Sequence, residues 1–354
     1  MTKIKSTQKS QKKPTIDDVA ALSGVARVTV SRVLNGGANV RPEMREKVRR
    51  AVEMLDYRVN VQARALAGGA SRLFTLVHPS ADDSEPNSYW ESALELGALR
   101  ACTEGGFHLI TRRIGKAEWD SRDWAVDLID NHLCEGIVLT PPFSDDLELC
   151  EFIRSKGCAL VSIAPGEAAR HATLSVGIDD EAAGCEIASH LIRLGHKRFA
   201  FIGGLEGHFA AEQRWVGVLR ALREAGLDET AIRFMRGDFS FKSGVDLASA
   251  ILNGEDRPDA LICANDDMAV GALFAAHRVG LHVPAELSIT GFDDTPISAL
   301  IWPPLTTVHQ PIREMGQRAV ELLIERLKSG GGEETGFELL AHEVVPRHST
   351  APAS

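Results

Sequence analysis

Two sets of side chains in this 354-residue sequence combine types and spacing that could bind another molecule. The first set lies near the amino terminus, where one predicted helix carries Arg27, Val28, Thr29, Ser31 and Arg32. An arginine can donate hydrogen bonds to guanine O6 and N7 together, and a valine can touch a thymine methyl group. These residue types therefore predict a surface that contacts base edges and phosphates.

The second set closes the predicted strands of the larger, carboxyl-terminal part of the chain. Its polar and aromatic members include Tyr89, Trp90, Phe143, Arg214, Asn265 and Asp293. Aromatic faces stack on sugar rings, while bidentate polar groups bond pairs of hydroxyls. The set therefore indicates a site for a small sugar-like compound. Taken singly, Tyr89 or Trp90 could instead belong to the core, and Asp293 could serve a turn or a helix cap.

Three short helices must position the first set. Thr15, followed by an acidic first turn, predicts the start of a helix from Ile16 to about Leu22. Gly24 then predicts a tight turn before a second helix from Ala26 to Leu34, and a third helix runs from about Pro42 to Leu55. Helix, glycine turn, helix is the unit whose second helix enters a DNA major groove.

Charge is distributed unevenly along the chain. Residues 1–72 contain 15 Lys and Arg against 6 Asp and Glu, a net charge of +9, whereas the whole chain carries −10. The remainder therefore carries −19. A basic end on an acidic body is typical of a protein that meets a polyanion with one end only.

After residue 72, short apolar runs alternate with amphipathic helical segments in two successive series. Strands that alternate with helices predict parallel sheets with helices on both faces. The sequence thus predicts an α/β protein, with an N-terminal all-α helix-turn-helix head and a body of two doubly wound lobes. Ligands of such lobes bind beyond the carboxyl ends of the strands, where the second set of residues lies.

Cysteine usage and hydropathy predict the compartment. The six cysteines are scattered among apolar residues, without a Cys-x-x-Cys motif or a histidine spacing that would hold zinc. We interpret them as reduced core residues and expect no metal and no cofactor. The start of the chain lacks the apolar segment of a signal peptide, and no run approaches the roughly 20 apolar residues of a membrane span. These features predict a cytoplasmic protein without a membrane partner.

Two stretches, TIDDVAALSGVARVTVSRVLNGG and REKVRRAVEMLDYRVNVQARALAGG, resemble the head and hinge of the lactose repressor (LacI/GalR) family of transcription regulators. The resemblance implies that residues 60–67 form a hinge helix that orders on operator DNA, and that Leu66 enters the minor groove as an apolar wedge. With the helix pattern, it implies a DNA-binding set of Thr15, Arg27, Val28, Thr29, Ser31, Arg32, Asn35, Tyr57, Asn60, Ala63 and Leu66.

The resemblance extends through ALICANDDMAVGAL and LSITGFDDTPISAL to about Arg347. It implies a periplasmic-binding-protein-like effector domain in which Arg214, Asn265 and Asp293 occupy effector-binding positions. Phe239 stands where the family often places a stacking aromatic. We therefore expect a tail at 1–13, a DNA-binding domain at 14–59, a hinge at 60–72 and an effector domain at 73–350. The first lobe would comprise about 73–177 and 310–338, and the second about 178–309 and 339–350.

The expected function is that of a repressor of carbohydrate-utilisation genes that binds double-stranded, pseudo-palindromic operator DNA as a homodimer, with a tetramer as the alternative. We expect the first lobe to supply much of the dimer face. A sugar-like effector would change operator affinity, as either inducer or corepressor. A purine or nucleoside sensor of the same family remains open, because the two differ only in pocket shape.

Other classes of protein fit the sequence poorly. A periplasmic-type solute-binding protein would fit the body, but it conflicts with the basic head and the missing signal peptide. An α/β enzyme would be expected to show a nucleophile elbow, a P-loop or a glycine-rich strand-to-helix turn, and none is found. The chain also departs from the family at Ala26 and Arg41, where capping hydroxyls are usual, and in a longer loop, HPSADDSEPNSYW, in the first lobe.

Overall fold

The structure is a computed structural model that describes residues 14–34, 40–57, 71–80, 89–130, 134–254, 256–330 and 335–353. It divides into two compact units, Met1–Ser71 and Arg72–Ser354. Within the described residues, no helix is both long and apolar enough to cross a membrane.

The amino-terminal unit contains three helices, α1 (Ile16–Ser23), α2 (Arg27–Leu34) and α3 (Pro42–Leu55). The Thr15 hydroxyl accepts from the Asp18 amide, and the Asp18 carboxylate accepts from the Thr15 amide, so the predicted cap of α1 is confirmed. Gly24 ends α1 with φ of 64°, a left-handed conformation that glycine adopts without a steric penalty.

A small core holds these three helices together. Its fully enclosed members come from each helix and from the turn: Val19, Val25, Val30, Val48 and Ala51. Apolar residues three or four apart on α3, at 48 and 51, face this core, as an amphipathic helix requires.

The larger unit contains twelve strands and ten α-helices in its described part. The strands are β1 (Leu73–Ser80), β2 (His108–Gly115), β3 (Gly136–Leu139), β4 (Ala159–Ile163), β5 (Leu174–Gly177), β6 (Phe199–Gly203), β7 (Ile232–Arg236), β8 (Ala260–Cys263), β9 (Ser288–Thr290), β10 (Thr307–His309), β11 (Gly336–Leu339) and β12 (Glu343–Val345). The helices are α4 (Tyr89–Gly105), α5 (Asp123–Asp130), α6 (Leu147–Ser155), α7 (Glu167–Ala172), α8 (Asp180–Arg193), α9 (Phe209–Glu224), α10 (Phe241–Leu252), α11 (Asp266–Arg278), α12 (Pro296–Leu300) and α13 (Ile312–Lys328).

Two parallel sheets define two lobes. The first lobe has strand order β11-β5-β4-β3-β1-β2, and the second has β7-β6-β8-β9. Strands β10 and β12 form an antiparallel pair, and residues around β10 bridge to the end of β9 in the second lobe. The chain crosses between the lobes near residues 178, 310 and 340. It leaves the first sheet after β5, returns to it for β11 once the second sheet is complete, and then leaves it again for β12.

Alternating side chains of the first sheet fill a core on each of its faces. Val138 and Val161 pack with α4 and α13 on one face, whereas Ile137 and Leu160 pack with α5 and α6 on the other. Both faces of these strands are apolar, as parallel strands between two helical layers require.

The sequence patterns did not predict four strands, β5, β7, β11 and β12. Strand β7 lies at a sheet edge and carries arginines at 233 and 236, so it lacks the continuous apolar run of a central strand. The others are three or four residues long. Such short segments contain too few residues to show a clear period.

Candidate functional sites

The exposed surface of α2 carries the predicted base-contacting residues. Arg27, Val28 and Arg32 are exposed, while Thr29 and Ser31 are half-buried. Val28 is 64% exposed, so its side chain is not used by the core. An apolar side chain presented to water on a basic helix suits contact with a thymine methyl group.

Two other members of the predicted DNA-binding set have structural roles in the head. The Thr15 hydroxyl is occupied by the α1 cap. Tyr57 packs against the small core, and burial, with a smaller effect of Asp17, raises the pKa of its phenol. The remaining members lie outside the described residues: Asn35, Asn60, Ala63 and Leu66.

Arg214 organises the candidate effector site in the second lobe. Its Nε donates to Asp180 Oδ1 at 2.9 Å, and its Nη1 donates to the Ala264 carbonyl at 2.7 Å. The guanidinium lies 3.7 Å from the centroid of the Phe292 ring, within cation–π range. Arg214 is thereby held at the carboxyl ends of β8 and β9, although it belongs to α9.

Asp293 lies beside this arginine at the end of β9. Its Oδ1 accepts from Gln310 Nε2 at 2.6 Å, and its backbone has φ of 110°. Burial raises the pKa of Asp293 well above its ordinary value, although the nearby Arg214 opposes the shift. Such strain and desolvation at one carboxylate are typical of functional sites.

Asn265 and Phe239 are coupled to each other. The Asn265 side chain caps α11 by accepting from the Met268 amide at 3.0 Å, and it donates to the Phe239 carbonyl at 2.9 Å. Phe239 has φ of 69° and covers Gly204, where an added Cβ would lie 2.1 Å from its ring. Asn265 therefore positions the aromatic ring while retaining one amide hydrogen for another partner.

Two of the three first-lobe aromatics predicted for the site, Phe143 and Trp90, pack against apolar clusters. Phe143 is 4% exposed and packs edge-on against Trp119 and Trp124. Because tryptophans already enclose the ring, this geometry does not support the predicted stacking role. Trp90, the second residue of α4, packs against the core of the first lobe, whereas Tyr89, the first residue of α4, is exposed. Tyr89 therefore stays a predicted effector contact.

Two residues that the sequence patterns did not identify join the lobes. Asp145, which follows β3, accepts at Oδ2 from the Phe209 amide at the start of α9, at 3.3 Å. Burial raises the pKa of Asp145 to about 6. Arg170 on α7 places its guanidinium 4.0 Å from the Phe337 ring centroid and 6.0 Å from that of Phe209. These contacts link the first lobe to α9, the helix that carries Arg214.

The sequence patterns also failed to identify Asp180 as a residue of the candidate effector site. It is fully buried at the start of α8; burial raises its pKa, and Arg214 opposes that shift. A usable signal was present, because the acidic pair at 179 and 180 follows β5 directly, where a doubly wound lobe presents its ligand groups. Its partner on α9 could not be inferred, because the two residues are 34 positions apart.

Comparisons with known proteins agree on both parts of the chain. The family model "Bacterial regulatory proteins, lacI family" matches residues 15–60, and a periplasmic binding protein-like domain matches residues 188–350. Catabolite control protein A of Priestia megaterium is 31% identical over 95% of this chain and 99% of its own. The transcriptional repressor PurR of Vibrio atlanticus is 30% identical over 95% of this chain and 98% of its own.

Solved structures share the arrangement. The lac repressor dimer bound to operator and the anti-inducer ONPF matches with a TM-score of 0.82, at 28% identity over 96% of this chain and all of that one. A complex of the transcriptional regulator CelR with cellobiose matches with a TM-score of 0.70, at 31% identity over 95% of this chain and 99% of that one.

Proposed function

Since this chain belongs to the lacI family of bacterial transcription regulators, we propose that it is a repressor whose operator affinity is set by a small carbohydrate held between its two lobes. Like its relatives, it is a DNA-binding regulator; it is not an enzyme. Because this repressor would bind operator DNA, we propose that it acts in the cytoplasm.

The observation that carries the proposal is the hydrogen-bonding capacity that remains at Arg214 and Asp293. Bonds within the described chain use two of the five N–H groups of Arg214. Among the described residues no donor bonds to Asp293 Oδ2. Both side chains are less than a tenth exposed, so a ligand that meets these atoms must be small and polar. Vicinal sugar hydroxyls match a guanidinium and a carboxyl group side by side, because a hydroxyl can both donate and accept a hydrogen bond.

A carbohydrate is favoured over a purine by the supply of aromatic faces. The Phe292 ring is already covered by the Arg214 guanidinium. Phe239, whose carbonyl accepts from Asn265, can then offer a ring face for stacking on one sugar ring. The resemblance to the CelR–cellobiose complex supports the same choice. Relatives named PurR keep a purine or nucleoside as the second candidate.

DNA binding by two heads requires a dimer, because one short head reads only a half-site. Apolar side chains of the first lobe support a face for a second copy. Leu96 and Leu99 on α4 and Ile110 on the edge strand β2 are each about two-fifths to one-half exposed. We propose that α4 and β2 contribute to a homodimer, and that lobe closure on the effector repositions the two chain segments that lead to the heads.

The test has a DNA arm and a ligand arm. A duplex is first enriched from a random pool with the purified protein, and calorimetric titrations then use mono- and disaccharides, nucleobases and nucleosides. Arg32→Ala should weaken DNA binding and keep ligand binding, whereas Asp293→Asn should keep DNA binding and lose the ligand response. Loss of the same activity in both variants, or binding of nucleobases alone, would contradict the proposal.

A further inference from the structure

Two cysteines meet at the amino-terminal edge of the first sheet. Cys134 lies two residues before β3, and Cys158 lies one residue before β4. These strands are parallel neighbours with Gly136 opposite Ala159, so the two cysteines approach each other from adjacent strands. Both side chains pack in the same apolar cluster of the first lobe, where the Cys134 thiol donates to the Leu128 carbonyl and the Cys158 thiol to the Ala159 carbonyl. This register places the two cysteines one position out of step on adjacent strands, a diagonal Cα separation of about 6 Å, which lies within the range of about 4.4–6.8 Å that a disulfide requires.

The two thiols differ in exposure and in the groups that affect their pKa. Cys134 is partly exposed, whereas Cys158 is 7% exposed. The Cys158 thiol and the Thr75 hydroxyl lower the pKa of Cys134 against the effect of its burial. Thr75 is fully buried, and no described nitrogen or oxygen bonds to its hydroxyl, so this donor is available to a thiolate. An accessible, stabilised thiolate beside a buried thiol is the arrangement of an attacking and a resolving cysteine.

We propose that Cys134 and Cys158 are a redox-sensing dithiol, which a hydroperoxide converts reversibly into an intramolecular disulfide. The Cys134 thiolate attacks one peroxide oxygen, the O–O bond breaks, and the leaving hydroxide takes a proton to become water. Cys158 then attacks the sulfur of the resulting sulfenic acid, and a second water leaves as the S–S bond forms. Two thiols are oxidised, and one hydrogen peroxide is reduced to two waters.

The disulfide would act on the point where the larger unit begins. Glu135, which follows Cys134, donates its amide to the Leu73 carbonyl at 2.7 Å, and its carboxylate accepts from the Arg72 amide at 2.6 Å. Arg72 is the first residue of the larger unit and follows the segment that leads from the DNA-binding head. Bond formation draws the two sulfurs together to about 2.05 Å, which pulls the chain at 134 and 135 toward β4 and away from Arg72.

The first experiment asks whether the bond forms. Reduced full-length protein is treated with hydrogen peroxide, alkylated and mapped by mass spectrometry without reduction. We expect a cross-linked peptide pair containing Cys134 and Cys158 with the loss of two hydrogens, and its reversal by dithiothreitol. Cys158→Ser should leave a dimedone-reactive sulfenic acid at Cys134. The matched control Cys150→Ser, at a buried thiol that contacts Ser162, should form the same cross-link as the unmodified chain.

The dithiol assignment would be overturned if peroxide oxidised other thiols of the unmodified chain without joining Cys134 to Cys158, or if it joined two chains.

This first readout is independent of DNA, whereas a second readout, the affinity for DNA, rests on the proposed function. Affinity for the enriched duplex should fall by about fivefold or more on oxidation, recover on reduction and stay constant in Cys158→Ser. An unchanged affinity of the cross-linked protein would overturn the link to Arg72. Failure of reduced protein to enrich any duplex would instead count against the proposed function.

Discussion

The ion pair between Arg214 and Asp180 is the residue-scale feature that holds the proposed effector site together. Both side chains are less than a tenth exposed, so each charge depends on the other for solvation. We expect Asp180→Asn to lower the free energy of unfolding by about 3 kcal/mol, because the guanidinium would be left buried without its carboxylate. Urea unfolding of the full chain measures the change.

A neighbouring pair on the same two helices provides the control. Glu181 on α8 bonds to Arg220 on α9, but both are about one-third exposed. Glu181→Gln should therefore cost no more than about 1 kcal/mol. Equal losses in Asp180→Asn and Glu181→Gln would show that burial does not distinguish the two pairs.

The pKa of Asp145, raised to about 6 by burial, predicts a pH dependence. The folded form binds this proton more tightly than the unfolded chain, whose ordinary value is about 3.9. Its contribution to stability therefore rises as the pH falls through about 6 and levels off below about 4. Between pH 7.5 and 5.5, Asp145→Asn should lose about 1 kcal/mol of this gain relative to the unmodified chain.

Urea unfolding at both pH values measures the difference for Asp145. Glu148→Gln, at a carboxylate that is 82% exposed, serves as the control and should follow the unmodified chain. If Asp145→Asn kept the full pH dependence, a different group would be responsible for it.

At the scale of elements, helices α8 and α9 pack through glycines. A Cβ added at Gly217 would lie 2.0 Å from the Glu181 carbonyl oxygen, and one added at Gly184 would lie 2.2 Å from that of Arg214. Gly217→Ala must therefore separate the helices that hold the buried ion pair. We expect a loss of about 2–3 kcal/mol in urea unfolding and weaker ligand binding.

Gly336→Ala is the matched control for this substitution, because nothing lies within 4 Å of an added Cβ in strand β11. It should leave both stability and ligand affinity nearly unchanged. A tolerated Gly217→Ala would mean that α8 and α9 can move apart freely.

The start of α2 lacks a side-chain cap. The Ala26 carbonyl accepts from the Thr29 and Val30 amides, which places Ala26 at the capping position without a hydroxyl. Ala26→Ser should stabilise the helix by about 0.5–1 kcal/mol and slow amide exchange across α2. Hydrogen exchange of peptides covering α2 and α3 tests this, because α3 should be less affected. Faster exchange in α2 would contradict the prediction.

At the scale of the whole molecule, the basic amino-terminal 72 residues and the acidic remainder predict how DNA binding responds to salt. If the heads make 6–10 phosphate contacts, affinity for duplex DNA should fall by roughly 10³–10⁵ between 50 and 200 mM salt. Fluorescence anisotropy of a labelled duplex measures the slope. Arg32→Ala should reduce it by about one contact per head, and a salt-independent affinity would refute electrostatic binding by the head.

Sequence alone predicted the three-helix head, the cap at Thr15, the turn at Gly24 and the alternation of strands and helices in the body. These features depend on residues three or four apart, or on periodic apolar positions within one element, so they can be read along the chain. The family resemblance also indicated Arg214, Asn265 and Asp293, but not what holds each of them.

Only the tertiary structure determined which residues share a site. Asp180 and Arg214 come from different helices, Asp145 reaches α9 from the other lobe, and Phe143 turns into its own core. Cys134 and Cys158 likewise meet because β3 and β4 are neighbours in the sheet. Such contacts arise from strand order and from chain crossings between lobes, which local periodicity does not encode, because distant segments are brought together by burial of their shared faces.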